Sequence, residues 1–535
     1  MKTFLKNGLV MMCVPVLFMG CAAQNTTEGK ETETAEKKVF EEATAIELSD
    51  SGILVDGKEI SESDESDIYI AKDIVFYLEG QGITYGEGTL DDEHSKEEAD
   101  THTVLHITKP GTYALSGSLS RGQIAIDLGE EAEDDPEAVV TLILNGVDIE
   151  CTVAPAIIFY NVYECGSSDT ETATNVVDTT AAGANVLIAD GSVNNIKGSY
   201  VARIYKPDSV ILSEDGTEVV EEKKLHKYDG AFYSKMSMNI NGDEEETGIL
   251  NITAENEGMD SELHLTINGG NINITSGNDG INTNEDEVSV TTINGGNLTI
   301  KVTGETGEGD GIDSNGWLVI NGGTIIAEAC SSSADAGIDT DMGIHINGGT
   351  VMATGNMLDR ISESNQNYAV FSFVERQSGG IVYTLKNEAG EEVITYESEN
   401  DFSYLILSSP ELTAGTYTLW QGETQLAASA GESMMGGMGM HAPQDGNGGF
   451  EGERPEDMKK PEEMEKPEEG EMPKDMTPPD GTELPEGMEK PEGMERPDGG
   501  RRGDGGEEFF NVAEASKEIE ITDGGNYFNS VKTAE

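Results

Sequence analysis

Positive charge is scarce in this sequence. Its 535 residues include 32 lysines and arginines against 103 aspartates and glutamates, so the formal net charge at pH 7 is −71. We therefore expect no nucleic-acid partner, because binding to phosphates depends on lysine and arginine side chains. Adhesion to an anionic lipid surface is disfavoured for the same reason. The balance favours multivalent cations or neutral partners, although such acidity also keeps an extracellular protein soluble.

Aromatic residues and cysteines are also few. Phe, Trp and Tyr make up 6% of the chain, with two tryptophans, and there are five cysteines. With Cys13 and Cys21 assigned to the N-terminal segment described below, Cys151, Cys165 and Cys330 remain. An odd number does not form a disulfide framework, so a Cys151–Cys165 bond and buried free thiols both stay open. No Cys and His spacing is typical of a zinc site.

Long apolar runs are scarce as well. Residues 9–19 form one that follows Lys2 and Lys6 and is too short for a secure membrane span. The run ends at Met19-Gly20-Cys21, which resembles a bacterial lipoprotein signal whose cysteine is lipidated and becomes the new N-terminus. We predict a signal peptide at 1–20, lipidation of Cys21 and anchoring to the outer face of a bacterial cell membrane, with an ordinary cleaved signal as the alternative. Residues 21–50 are predicted to be a flexible tether.

Glycine is abundant, and much of it belongs to a repeat. Asn-Gly-Gly occurs at 268–270, 294–296, 321–323 and 347–349, each time after an isoleucine, with a partial copy at 241–242. The isoleucines are spaced by 27, 26, 27 and 26 residues, and apolar residues alternate on both sides of the turns. Alternation predicts β-strands with one buried face, and a period of this length indicates stacked coils rather than hairpins.

The repeat therefore predicts an all-β fold, a right-handed parallel β-helix over residues 51–360. In such a stack, residues one period apart lie above one another. The isoleucines are expected to stack inside, and the asparagines can form an amide ladder at a bend. The stacked isoleucines are Ile240, Ile267, Ile293, Ile320 and Ile346.

A second repeat places acidic residues at turns between these strands. It reads NEGMDS at 256–261, NDGINT at 278–283, GDGIDS at 309–314 and DAGIDT at 335–340, with a weaker copy, YDGAFYS, at 228–234. Stacking at about 4.8 Å makes two acidic columns, in which neighbouring carboxylates repel by about 3–4 kcal/mol at an effective dielectric constant near 20. Oxygen-rich sites suit Ca²⁺, so we expect structural calcium, although Asp and Asn also suit tight turns for their own geometry. The expected ligands are Asp229, Asp260, Asp279, Asn282, Asp310, Asp313, Asp339 and Asp341.

The segments taken together resemble a known family. The two repeats follow ITKPGTYALSGSLSRGQIAI (107–126), VTLILNGVDIECTVAPAI (140–157) and ANVLIADGSVNNI (184–196). This order is similar to that of the carbohydrate-binding domain-containing proteins exported by Firmicutes, which are pectate-lyase-like parallel β-helices. The resemblance implies polysaccharide binding and calcium between the coils. An insertion at 166–183, and Glu257 and Ala336 in one acidic column, depart from the pattern and weaken the case for calcium at those two coils.

Catalysis must be weighed because pectate lyases and polygalacturonases share this fold. A lyase needs a cationic base and positive groups beside its calcium, whereas the Lys and Arg residues between 228 and 355 are Lys235 and the outward-pointing Lys301. Polygalacturonase-type hydrolysis needs clustered aspartates, a Gly-His-Gly turn and an Arg-Ile-Lys segment, which the repeats lack. We predict that the protein is not an enzyme. A polysaccharide (pectate) lyase and a purely structural surface protein or adhesin are the alternatives.

A binding role calls for exposed aromatic or polar side chains. Trp317 and His345 lie an odd number of residues before Ile320 and Ile346, so alternation directs both away from the core. We predict that Trp317, His345 and Trp420 contact carbohydrate; packing of Trp317 beneath a loop is the alternative. The expected partner is a plant or microbial polysaccharide, cellulose-like or pectate-like, and pectate would need bridging Ca²⁺.

Beyond Gly355 the repeat stops. VFSFVER (370–376), IVYTLKN (381–387) and GTYTLWQG (415–422) predict a small antiparallel β unit at 361–430 that caps the solenoid. Residues 431–508 contain degenerate copies of PEDMKK and PEGMER, and we predict a disordered Pro/Glu/Met/Gly-rich insertion. IEITDGGNYFNSV (519–531) predicts that residues 509–535 supply the final strands of the C-terminal unit.

Overall fold

A computed structural model describes residues 42–213, 215–431 and 515–534. The predicted signal peptide, Cys21, most of the predicted tether and the predicted insertion from residue 432 onward lie outside these residues. The described part of the chain is nearly all β, with 37 strands, a four-residue helix α1 (Lys96–Ala99) and a 3₁₀ helix (Glu130–Asp134). None of its helices has the length and apolarity needed to cross a bilayer.

Three ladders of mainly parallel strands form the larger part of the fold. Ladder 1 consists of β1 (Thr44–Leu48), β6 (Gly111–Leu119), β8 (Val140–Glu150), β10 (Ala184–Ile188), β17 (Met238–Gly242), β20 (His264–Ile267), β23 (Val290–Ile293), β25 (Trp317–Ile320), β27 (Gly343–Ile346) and β29 (Ile361–Ser364). Ladder 2 continues from the second halves of β6 and β8 through β11 (Val193–Gly198), β18 (Ile249–Ala254), β21 (Asn271–Ser276), β24 (Asn297–Val302), β26 (Thr324–Glu328) and β28 (Thr350–Gly355). Ladder 3 consists of β5 (Thr103–Ile107), β7 (Gly122–Asp127), β9 (Ile157–Asn161), β16 (Gly230–Ser234), β19 (Glu257–Ser261) and β22 (Ile281–Thr283).

From β16 onward the chain visits the three ladders in a fixed order. Each repeat unit runs from ladder 3 to ladder 1 to ladder 2, as β16, β17 and β18 do. Isolated parallel bridges at Ile312 and Ile338 continue ladder 3 beyond β22. The order explains the 26- to 27-residue period, because three short strands with their turns make one unit.

The repeated isoleucines and asparagines occupy the positions that the period predicts. The five isoleucines pair in register along ladder 1, and each is at most 1% exposed. The amide Nδ2 of each asparagine donates to Oδ1 of the preceding one at 2.8–2.9 Å, so the predicted amide ladder is confirmed. It contains Asn241, Asn268, Asn294, Asn321 and Asn347 and continues to Asn365.

Two glycine positions of the repeats have distinct physical reasons. The second glycine of Asn-Gly-Gly has a positive φ, for example +82° at Gly296, which a side chain would strain. The glycine of the acidic repeat is required by close approach instead. A Cβ at Gly280 would lie 2.5 Å from the carbonyl oxygen of Gly311, and a Cβ at Gly311 would lie 2.4 Å from that of Gly337.

The N-terminal boundary of the fold is earlier than predicted. Residues 44–48, assigned from the sequence to the tether, form β1, which pairs in parallel with β6. Ile46 and Leu48 are buried there, so the alternation of buried and exposed residues extends into the segment predicted to be the tether. The next strands are antiparallel: β2 (Leu54–Val55) pairs with β1 and with β3 (Lys58–Glu59), and β4 (Ile68–Ala71) pairs with β5.

Two insertions interrupt the ladders. Residues 201–228 form a hairpin extension with β12 (Val201–Tyr205), β13 (Ile211–Leu212), β14 (Val219–Glu221) and β15 (Lys224–Tyr228). Residues 165–182, which we call the strap, link ladder 3 to ladder 1 without forming a strand. The three cysteines within the described part are free, so Cys151 and Cys165 form no disulfide.

The C-terminal unit is mainly antiparallel. It comprises β30 (Tyr368–Gln377), β31 (Ile381–Asn387), β32 (Glu392–Ser398), β33 (Phe402–Ser408), β34 (Gly415–Gln421), β35 (Thr424–Gly431), β36 (Ile519–Ile521) and β37 (Gly525–Thr533). β33 pairs antiparallel with both β28 and β30, while β30 and β37 are parallel. β29, predicted to begin this unit, pairs instead with β27 of ladder 1. The unit has a core of its own that includes Phe371, Tyr383 and Phe402.

Candidate functional site

Two groups of carboxylates collect where the acidic repeats stack. Group 1 is Asp229, Glu257 and Asp260, and group 2 is Asp310, Asp313 and Asp339. Within each group, one carboxylate oxygen from each residue lies within 4.8 Å of the others. Stacking of the same turn in successive repeat units therefore brings together acidic residues that are 26 to 31 positions apart in the sequence.

Group 1 is the more deeply buried. Asp260 is 0% exposed and Glu257 is 5% exposed. Asn282 donates to Glu257 Oε1 at 3.1 Å and Asn284 donates to Asp260 Oδ1 at 2.6 Å. The remaining oxygens of this cluster, Glu257 Oε2, Asp260 Oδ2 and Asn282 Oδ1, are buried without a hydrogen-bond partner. Buried acceptors of this kind normally have a donor or a cation.

Burial and mutual repulsion raise the pKa values of group 1. Burial is the main cause at both Glu257 and Asp260, followed by the neighbouring carboxylate Asp260 in the first case and Asp229 in the second. Asp229 differs because Lys227 Nζ lies 2.7 Å from its Oδ2. That lysine offsets part of the effect of burial, which still raises the pKa of Asp229. The charge of Lys224 also lowers the pKa values of Asp229 and Asp260, less than Lys227 does.

The surroundings of group 2 differ from those of group 1. In the part of the chain that the structure describes, no lysine or arginine forms an ion pair with its three carboxylates. Burial, then Asp339 and Asp279, raise the pKa of Asp310 to about 10. Burial is also the first cause that raises the pKa values of Asp313 and Asp339 to about 7. Near neutral pH the group therefore holds protons unless a cation replaces them.

The other predicted ligands lie beside these groups rather than within them. Asp279 accepts the backbone N–H of Asp310 at 2.7 Å, and burial raises its pKa to about 7. Asn282 pairs in register with Asp260 and contacts Glu257. Asp341 is exposed and belongs to neither group, although its charge acts on Asp313.

Aligning the copies of the acidic repeat on their glycines would place Asp229 opposite Glu257. This alignment is wrong by one position. Gly230, not Asp229, lies opposite Glu257, and Tyr233 lies opposite Asp260. The first copy of the acidic repeat has one more residue between its glycine and its serine, so its start is displaced. Asp229 still reaches group 1 because its side chain is close to both partners.

Sequence reasoning missed three residues that shape these groups. Glu257 was treated as a departure from the pattern, yet it supplies a buried oxygen to group 1. Lys227 lies two residues before Asp229, at the end of β15, and contacts it from the same face of the extended chain. Burial is the largest cause of the raised pKa of Asp339, and the charge of Asp359 is the next largest. The column of acidic repeats was a usable signal for Glu257, and the i, i+2 spacing from Asp229 was one for Lys227, whereas nothing in the repeat marks Asp359.

The outer face of ladder 1 is not the open surface that alternation suggested. Asn175 of the strap lies 3.1 Å from His345 Nε2, and His345 is 8% exposed. Thr179, also in the strap, lies 2.7 Å from both Asn239 Oδ1 and Thr266 Oγ1. The strap therefore covers His345, which is not exposed as alternation predicted. Its contact with carbohydrate stays a prediction.

The two tryptophans are partly exposed. Trp317 lies in register between Val290 and Gly343, on the outer face as predicted. Trp420 is in the C-terminal unit, where its Nε1 donates to Thr418 Oγ1 at 2.9 Å and Lys386 Nζ lies 5.5 Å from its ring centroid. Trp317 therefore belongs to ladder 1 and Trp420 to the C-terminal unit.

Comparisons with known proteins place these features in a family. A family model described as carbohydrate-binding domain-containing protein matches residues 101–369, about half of the chain. No curated protein matches. A solved structure described as the polysaccharide lyase-like protein from C. thermocellum, a gadolinium derivative, is 20% identical over 60% of this chain and 91% of its own, with a TM-score of 0.31. On the family match, this chain belongs to the carbohydrate-binding domain-containing proteins.

Proposed function

We propose that this protein binds polysaccharide at the cell surface without catalysing a reaction. The observation that supports this most directly is the family match over residues 101–369, the segment that contains most of the three ladders. A chain with net charge −71 repels polyanions, so a neutral glucan or a cation-bridged pectate fits best. The proposed export and lipidation at Cys21 rest on the N-terminal sequence alone.

The proposed architecture is a right-handed parallel β-helix. The strict rotation through ladders 3, 1 and 2, with residues paired in register one unit apart, is the pattern that successive coils of such a helix produce. One continuous cluster of buried apolar residues, to which all three ladders contribute, supports the same arrangement.

Calcium is the proposed ion at the two carboxylate groups. Oxygens that share one Ca²⁺ at 2.3–2.6 Å lie within about 5 Å of one another, and the carboxylate oxygens of each group meet that limit at 4.8 Å. All donors are hard oxygens, which suit Ca²⁺ better than a transition metal. The unpartnered oxygens of Glu257 and Asp260 are further acceptors for it. An ion there would neutralise repulsion between coils and so stabilise the stack.

The test of the proposed function is retention on insoluble polysaccharide. Purified protein, residues 42–535, is incubated with microcrystalline cellulose, insoluble xylan and calcium-pectate gel, in Ca²⁺ and in EDTA. We expect retention on at least one of them, with unfolding midpoints that fall in EDTA. Absence of retention on every glycan would overturn the binding role, and an unchanged midpoint in EDTA would overturn the structural calcium.

A polysaccharide lyase is the second candidate, and one observation favours it. Lys227 and Lys235 line one cleft together with tyrosines, and Lys227 contacts group 1, so positive groups do lie beside the proposed calcium. Incubation with polygalacturonate and Ca²⁺, followed by ultraviolet absorbance, tests this. Growth of the absorbance of unsaturated uronides would establish the lyase. If the protein is retained, its binding is saturable and this absorbance does not grow, both the lyase and a purely structural role would be excluded.

A further inference from the structure

A cleft of about 630 Å³ lies between ladder 3 and the hairpin extension. Tyr160 of β9 and Tyr233 of β16 contribute from the ladder, and Lys224 and Tyr228 contribute from β15. The 3₁₀ helix and the start of the strap close the remaining sides. The cleft is thus built from elements that are distant in the sequence, and it lies next to group 1 through Lys227.

Tyr160 supplies a held aromatic surface in this cleft. Its side chain is partly exposed, and Lys235 Nζ lies 5.0 Å from the ring centroid. The rings of His226 and Tyr228 approach it at 6.5 and 6.3 Å with tilted and edge-on geometries. Tyr228 and Tyr233 are themselves buried and fix the wall behind it. An aromatic ring held by its neighbours loses little entropy when a flat apolar ligand face packs on it.

Donors and acceptors alternate around the aromatic wall. Lys235 pairs with Glu133 at 2.5 Å, and Lys224 pairs with Glu262 at 3.2 Å. Tyr233 donates its hydroxyl proton to Glu262 at 2.9 Å. A sugar hydroxyl both donates and accepts, so it can bind between a lysine and a carboxylate of such a pair. These pairs of a lysine with a carboxylate therefore suit a ligand with many hydroxyl groups better than a simple ion.

The charge balance of the cleft selects among glycans. Its three lysines are outnumbered by five carboxylates. These are Glu133, Asp134, Glu164, Glu262 and Glu285. A uronate would lack a free cation here, since each lysine already has a carboxylate partner, and it would add to the repulsion. Hydroxyl groups carry no such cost.

We propose that this cleft is the carbohydrate site of the protein and that it binds a short segment of a neutral glycan, packed on Tyr160 and hydrogen-bonded to the lysine–carboxylate pairs. The inference rests on the proposed function and adds its location and ligand class. It also replaces the outer face of ladder 1, where the strap covers His345, as the place where sugar is bound.

The first test measures affinity by calorimetric titration with three neutral hexasaccharides, from cellulose, xylan and mannan, and with hexagalacturonate. We expect the protein to bind at least one neutral hexasaccharide more tightly than hexagalacturonate. Tyr160→Ala should weaken that binding at least tenfold, which corresponds to about 1.4 kcal/mol. Tyr160→Phe keeps the ring and should stay within about threefold, a difference of under 1 kcal/mol. Tyr404→Ala, at a partly buried tyrosine of the C-terminal unit, is the matched control and should bind like the wild type.

Distinct outcomes separate the two proposals. If the protein is retained on insoluble glycan but Tyr160→Ala binds as tightly as the wild type, or if hexagalacturonate binds more tightly than every neutral chain, the inference about the cleft is overturned and the binding function stands. If Trp317→Ala or Trp420→Ala weakens glycan binding and Tyr160→Ala does not, the inference about the cleft is likewise overturned and the binding function stands. If no soluble or insoluble glycan binds, both proposals fail.

The second test locates the ligand without mutation. The lysines are acetylated in the presence and absence of saturating neutral hexasaccharide and quantified by mass spectrometry. Lys224, Lys227 and Lys235 should be protected at least threefold. Lys301 and Lys386 are also paired with glutamates but lie on ladder 2 and in the C-terminal unit, so their acetylation should not change. Equal acetylation of the three cleft lysines in both samples would contradict the assignment.

Discussion

Replacing Asp313 by asparagine should stabilise the calcium-free protein at pH 8 and reduce the stability that it gains from Ca²⁺. Burial, and then the charge of Asp279, raise the pKa of Asp313 from 3.8 to about 7. Between these pH values the native state holds a proton that the unfolded state has lost. The free energy of unfolding therefore falls as the pH rises through this window and stays at the lower level above pH 7.

The magnitude follows from the size of this shift. A difference of about three pH units corresponds to about 4 kcal/mol at pH 8. This is an upper limit for Asp313→Asn, because Asp310 and Asp339 share the repulsion and release part of it when one member changes. We therefore expect a gain of roughly 1–4 kcal/mol in EDTA at pH 8 and almost none at pH 4, where the native carboxyl is already neutral.

The assay is urea unfolding followed by circular dichroism, at pH 4, 6 and 8, in EDTA and in excess Ca²⁺. In excess Ca²⁺ we expect the wild type to be more stable than the variant, because asparagine offers the ion a neutral oxygen in place of a charged one. Asp91→Asn removes one negative charge from an exposed position and should change neither difference by more than about 0.5 kcal/mol. If Asp313→Asn destabilised the protein equally in EDTA and in Ca²⁺, the reasoning about repulsion would be refuted.

Three further predictions concern the stack itself. Ile293→Ala removes a side chain from the middle of the isoleucine column and should cost about 2–5 kcal/mol in urea unfolding. Asn294→Ala breaks two amide hydrogen bonds of the exposed ladder and should cost about 1–2 kcal/mol in the same assay. Glu328→Ala leaves the buried backbone N–H of Asn400 and the part-buried N–H of Glu399 without their acceptor, so it should cost about 2–4 kcal/mol and speed proteolysis of the C-terminal unit.

Controls for these three variants come from the same chain. Val374→Ala changes an apolar residue that is 61% exposed and should have little effect, so an equal loss there would contradict the argument for Ile293. Asn387→Ala, at a turn of the C-terminal unit, tests whether any exposed asparagine matters as much as Asn294. Unchanged proteolysis of Glu328→Ala would show that this carboxylate does not hold the C-terminal unit.

The sequence was sufficient to predict the stack because the determinants repeat. Ile293, Asn294 and Gly296 fulfil the same three requirements as their counterparts one unit away: a buried side chain, an amide bridge and a positive φ. A period of 26 or 27 residues converts these local requirements into a long-range register. The strand pairs of ladders 1 and 2 follow directly from that spacing.

The parts that the sequence did not predict depend on single, non-repeating contacts. Asn175 and His345 are 170 residues apart, and no periodicity relates the strap to the surface that it covers. Lys224 and Tyr228, which line the cleft, belong to a hairpin extension that interrupts the repeat. The displaced alignment of Asp229 has the same origin, since one added residue breaks the spacing on which the prediction relied. The candidate metal ligands could therefore be predicted, because they lie in units that repeat. The cleft could not be predicted, because insertions that do not repeat help to line it.

The antiparallel pairing of β33 with β28 also bears on how the molecule avoids polymerisation. The last strand of a parallel ladder presents unpaired N–H and C=O groups, which a second copy could extend into a fibre. Here Tyr404–Ser408 pair with Val351–Gly355 in the opposite direction, so this edge of ladder 2 is used within the chain and offers no template for a further parallel strand. The residues after the predicted insertion supply β37, which pairs with β30 in the same sheet. Truncating the chain before residue 515 would remove β37 and leave that edge of β30 unpaired, so we expect the truncated protein to aggregate.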